Sequence, residues 1–224
     1  MKSGLWAVAA SVFALTLLLN LPGAFVARFI EWPAGWQPQA ITGSVWNGHM
    51  EKLGSLGPLK WNLRPWAGSA TLDAGFQRQN WQMIVSGWPW AWQAELAPTA
   101  SVVTPAAAFV LDGQWIGQVR IQGRGTRCLS SEGALHASGL TVLSPWMVML
   151  GDANLRFDCQ DKLQVFADIQ RKGEHHFEAR LQPFTRYAVV KGQVQAEASV
   201  KPLMVQTGLL KAGDTTFEKI LGGR

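Results

Sequence analysis

The stretch Lys162-Leu-Gln-Val-Phe-Ala-Asp-Ile169 decides the fold. Leu163, Val165, Ala167 and Ile169 fall two apart, so in an extended chain they share one side, and polar groups, Phe166 excepted, take the other. That side is core. Trp90-Ala-Trp-Gln-Ala-Glu-Leu96 and Ala70-Thr-Leu-Asp-Ala-Gly-Phe76 have the same period of two. Working outward, similar runs bounded by Gly, Asn, Asp or Pro recur at 41–46, 59–63, 70–76, 81–85, 90–96, 118–122, 133–143, 154–159, 162–170, 176–181 and 188–197. So many strands with so little helix predict a sheet that curls or closes to manage its edges. The expected fold is mainly β: an N-terminal transmembrane helix, then a strongly curved antiparallel sheet, as a groove or partly open barrel, with a few short helices. Those helices are expected at 102–110, 145–150 and 202–210, which begin near a Pro and space their apolar residues helically.

Between Lys2 and Arg28 the run 5–27 (LWAVAASVFALTLLLNLPGAFVA) carries no charge. As one helix at ~1.5 Å per residue it would cover roughly 35 Å, enough for a bilayer. A cleaved signal peptide is the competing reading, but Pro22 or Phe25 would occupy the outer position of its cleavage site, where a small residue is needed. The expected organisation is a cytoplasmic end at 1–4, a transmembrane helix at 5–27, a juxtamembrane linker rich in Pro and Trp at 28–40, and a β domain at 41–224. Lys2 and the terminal amine predict a cytoplasmic N-terminus, a single inner-membrane pass and a periplasmic remainder.

The balance of 48% hydrophobic and 16% charged residues is that of a packed chain. Its net charge of +5 would suit nucleic acid or anionic membrane, yet the basic residues are scattered and no Lys/Arg stripe with interleaved aromatics exists, so nucleic acid is not expected as a partner. Two cysteines, Cys128 and Cys159, are an even count that reads as a disulfide outside a reducing compartment; two unlinked core thiols are the other reading.

Catalytic groupings are scarce. There is no HExxH, GxSxG or GxGxxG, and His175 and His176, adjacent on a strand, would face opposite ways and could not share one metal. Asp152, Asp158 and Asp161 lack the glycine and terminal glutamate of a calcium loop. No enzyme activity, cofactor or metal is expected. The informative feature is the 12 Trp against one Tyr. They concentrate in the N-terminal half, as packed core or as an apolar surface for lipid, glycan or a protein. Trp46 is followed by Asn47-Gly48, a strong hairpin signal.

Behind the apolar run ending near Leu21-Pro22 stand a G-x-x-W-x-G block (Gly43, Trp46, Gly48) and an L-x-W-x-L block (Leu59, Trp61, Leu63). With the later strands and the two cysteines, this order resembles the protein N family of the type II secretion system of Gram-negative bacteria. The resemblance covers nearly the whole chain. It implies an accessory inner-membrane component supporting export of folded proteins, with other secretion-apparatus proteins as partners. It also implies kinship with AsmA-like periplasmic proteins, whose curved sheets form an apolar groove, making lipid or glycan binding in envelope homeostasis the alternative. The family supplies no catalytic residue.

Overall fold

The computed structural model describes residues 2–33, 35–101, 110–144, 147–159, 162–185 and 187–222. Two N-terminal helices, α1 (Lys2–Leu19) and α2 (Gly23–Ala27), precede the sheet. The strands then follow one another: β1 (Pro38–Gln39), β2 (Thr42–Gly43), β3 (Asn47–Met50), β4 (Lys52–Leu53), β5 (Leu59–Arg64), β6 (Ser69–Phe76), β7 (Gln79–Trp88) and β8 (Ala91–Ser101). The second half holds β9 (Val110–Arg124), β10 (Arg127–Ser144), β11 (Val148–Asp158), β12 (Gln164–Arg171), β13 (His175–Gln182), β14 (Tyr187–Val194), helix α3 (Lys201–Gln206) and β15 (Thr216–Leu221). Thirteen strands form one antiparallel meander ordered β15-β14-β13-β12-β11-β10-β9-β8-β7-β6-β5-β3-β2, and β1 pairs with β4 separately.

Cross-strand partners share a face, so the period of two sorts the whole sheet. One row across β5 to β9 reads Trp61, Leu72, Met83, Leu96 and Val119. Another, from β10 to β14, reads Leu135, Leu155, Ala167, Ala179 and Val190 on the same face. The opposite face carries rows such as Glu95, Arg120 and Glu132. Core forms where something covers the apolar face. The segment around α3 does so at the C-terminal end, where Ala198, Val200, Met204 and Leu210 pack with Val148, Phe177 and Val194. Pro202 lies in the first turn of α3, where its missing N–H costs nothing. Glu174 anchors the entry to this segment, accepting from Ser199 Oγ at 2.7 Å and pairing with Arg171 at 2.8 Å.

The structure corrects several expectations. The run 5–27 is not one helix: α1 stops at Leu19, and among the described residues no helix is long and apolar enough to cross a membrane. Pro22 has no N–H to continue the helix, and the residue before it is pushed towards extended geometry. Asn20 Nδ2 donates back to Thr16 O, Pro22 forms an isolated bridge to Ser44, and Val45 N donates to Leu21 O. The apolar run within α1, from Leu5 to Leu19, therefore spans only about 22 Å against a hydrocarbon core of about 30 Å. This overturns the transmembrane helix, the single-pass inner-membrane placement, and both the secretion and AsmA-like readings built on that anchor.

The sheet is also neither closed nor wrapped into the expected groove or barrel. Apart from β4, which leaves to pair with β1 so that β3 meets β5, neighbours in space are neighbours in sequence, and among the described residues β2 and β15 do not meet. Residues 148–150 belong to β11 and not to a helix. Of the helix expected at 102–110, residues 102–109 lie outside the described residues and Val110 opens β9. The run 41–46 yields only the two-residue β2, and Asn47-Gly48 begins β3 instead of forming the turn. The turn comes earlier because Ser44 Oγ accepts from Asn47 N at 3.1 Å and Ser44 N donates to Asn47 O at 2.9 Å.

Cys128, near the start of β10, is joined to Cys159, just past β11, with Cα atoms 5.1 Å apart and a sequence separation of 31. Reducing this bond should lower unfolding free energy by about 3–4 kcal/mol in the chain-entropy picture. Urea unfolding of oxidised and reduced protein measures it, and coincident midpoints would remove the bond from the stability of the fold.

Candidate functional site

The six residues of the two motif blocks build the joint between the N-terminal helices and the sheet. Gly43 and Gly48 are cross-strand partners, and Gly48 also pairs with Trp61. A Cβ on Gly48 would run into the Trp61 indole, so that position is glycine for close approach. Gly43 has φ +84°, which favours glycine as well. Trp61 Nε1 donates to the carbonyls of Val45 (3.0 Å) and Ser44 (3.2 Å), closing the β2–β3 turn over its ring. Trp46 Nε1 donates to Leu18 O at 2.9 Å, tying the end of α1 to the sheet, and Leu63 N donates to Trp46 O at 2.6 Å. Leu59 is buried beside its partner Met50. The geometry gives these residues an architectural role.

The device recurs in the other Trp-rich block. Trp92 pairs with Gly123, where a Cβ would meet the indole, and its Nε1 donates to Gly125 O at 2.9 Å. The remaining Trp divide. Trp81 and Trp115 meet edge to face at 5.3 Å on the apolar face. Trp88 and Trp90 stack at 5.5 Å in solvent, 46% and 65% exposed, at the β7–β8 turn.

The apolar face is unevenly covered. Over β5 to β9, Leu63, Leu72, Met83, Val85 and Leu96 all keep part of their surface in solvent, and among the described residues no helix lies over them as α3 does over β13 and β14. Helix α1 is apolar almost all round and exposed from Trp6 to Leu19, with Trp6 77% accessible. The helix is an exposed apolar surface, and the strip is a partly covered one.

The polar face has its own concentration of chemistry on β11 to β14. His176 Nε2 lies 2.6 Å from Asp168 Oδ2 and 3.9 Å from Glu178 Oε1. Glu178 Oε2 accepts from Lys191 Nζ at 2.8 Å, which holds the Glu178 carboxyl below its usual value and raises the Lys191 amine. Asp168, His176 and Glu178 each offer a ligand atom within 4.8 Å of the others and could hold a metal ion. His175, its neighbour, points to the apolar face, 5% exposed and stacked on Phe177 at 4.6 Å. His175 Nε2 donates to Leu150 O at 3.0 Å, while its Nδ1 is buried without a partner. Burial pushes its pKa down, against the raising effect of that hydrogen bond. Serial spacing missed the group because its members sit on successive strands. The signal was the short turn between Arg171 and His175, which sets Asp168 opposite Glu178.

No protein-family model matches the chain, and neither a curated protein nor a solved structure matches it.

Trp61→Ala should lower stability by about 3 kcal/mol, the low end for a large aromatic because the ring is half-buried, and Gly48→Ala by ~1–3 kcal/mol through overpacking. Unfolding midpoints unchanged in both variants would free the motif of its architectural role. For His175 the sign follows from its lowered folded pKa. The unfolded chain takes up the proton first, so stability is complete above the ordinary histidine value of 6.5 and falls as pH drops through and below it. Melting temperatures from pH 8 to 5 should fall at the acidic end, with a shallower fall in His175→Asn.

Proposed function

We propose that this chain is a non-catalytic β-sheet binding module that docks an apolar helix of a partner protein on the strip from β5 to β9. One observation carries the reading: Leu63, Leu72, Met83, Val85 and Leu96 form a continuous apolar strip that is only partly buried, while the same face further along is covered by the chain's own α3. A helix laid into an apolar surface is a recurrent recognition mode, and α3 displays it within this fold. The polar face alternates charge, as in Glu95, Arg120 and Glu132, which disfavours nucleic acid. Kinship with the protein N family is part of the proposal on the strength of the Gly43/Trp46/Gly48 and Leu59/Trp61/Leu63 blocks, without the membrane-anchored role.

Photo-crosslinking residues placed at Leu72, Met83 and Leu96 should yield discrete protein adducts in cells, identified by mass spectrometry. The same probe at Lys60, Gln82 and Gln93 on the opposite face should not. Equal labelling from both faces, or no protein adduct from the apolar one, would overturn the reading.

A further inference from the structure

Across β11, β12, β13 and β14 the polar face carries one row of directly opposed side chains: Asn154, Asp168, Glu178 and Lys191. Two carboxylates facing each other across a strand pair repel, so the row is favourable only if positive charge stands beside them. His176, diagonal to Asp168, and Lys191 supply part of it. The carboxylate of Glu178 is divided: Oε2 is taken by Lys191, and Oε1 faces the His176 ring.

A separate observation comes from the next strand. Asn154 Oδ1 is buried and has no hydrogen-bond donor, although its residue is the direct neighbour of Asp168 in the row. A buried carbonyl oxygen left without a donor is costly, by roughly 1–3 kcal/mol, and beside a carboxylate the group that relieves it is a cation. Asp168 and Asn154 line the same surface depression, so a cation there is open to solvent exchange.

We infer that Asp168, His176 and Glu178, with Asn154 Oδ1 as a fourth ligand, form a binding site for a divalent first-row transition metal ion on the polar face. One imidazole nitrogen with three oxygens is a borderline-to-hard donor set, suited to zinc, cobalt or manganese rather than to a thiolate-seeking ion. The ion takes the place of the His176 to Asp168 hydrogen bond. Lys191 competes with it, because its charge lies on the far oxygen of Glu178. This site lies on the opposite face from the proposed docking strip and stands independently of it.

The test uses tag-free, metal-stripped full-length protein titrated with Co2+, read by its visible absorption and by calorimetry. One saturable site per chain is expected, displaced by Zn2+. His176→Gln, Asp168→Asn and Asn154→Ala should each weaken Co2+ binding about tenfold or more, taking the effect of lost outer-shell partners as the lower bound. Lys191→Met should strengthen it. Circular dichroism and melting curves establish that each variant is folded. Absence of saturable binding, or a site unaffected by any one of the three weakening substitutions, would overturn the proposal.

Discussion

An aromatic ring seated over a glycine on the next strand is the contact on which this sheet depends. It occurs at Trp61 over Gly48, at Trp92 over Gly123, and at Gly192, where an added Cβ would meet both Phe177 and Phe217. All three glycines are in direct cross-strand register with their aromatics. Glycine alone weakens a strand, by roughly 0.5–1 kcal/mol against alanine. A ring that fills the space of the missing side chain recovers the packing and pins the register, and each indole also donates to a turn carbonyl. The contacts sit near the start, the middle and the end of the meander.

From that constraint follows a sheet with two characters. From β5 to β15 each strand pairs with its sequence neighbour, which keeps apolar residues on one face and charges on the other, without the long connections that would bring the first and last strands together. The apolar face is then relieved locally. At the C-terminal end the segment from Ala198 to Leu210 covers it, held at its entry by Glu174 and Ser199. Over β5 to β9 the face stays only partly buried, and that asymmetry is what the proposed docking role rests on.

Much of the sheet was legible from local pattern. Leu163 to Ile169 and Trp90 to Leu96 alternate because apolar side chains gather on one side of each strand, and β12 and β8 lie where that period places them. The turn at 44–46 was misread because Asn47-Gly48 is a hairpin signal only when no earlier side chain captures the backbone, and Ser44 does so. The helix at 5–27 was overextended because hydropathy counts Pro22 as a small loss, whereas geometry treats it as a stop. The helix expected over 145–150 failed at Val148, whose burial beneath α3 outweighs the helical spacing.

By itself the sequence determined most of the strand content and the apolar and polar sides of those strands, because side-chain direction in a strand follows from residue parity alone. Only the tertiary structure decided that the sheet stays open, that α3 covers one end of it, and that Asn154, Asp168, His176 and Glu178 come together. The physical reason is that register between strands depends on turns and bulges, each worth little by itself, and side chains ten or more residues apart become neighbours only once those small choices add up in three dimensions.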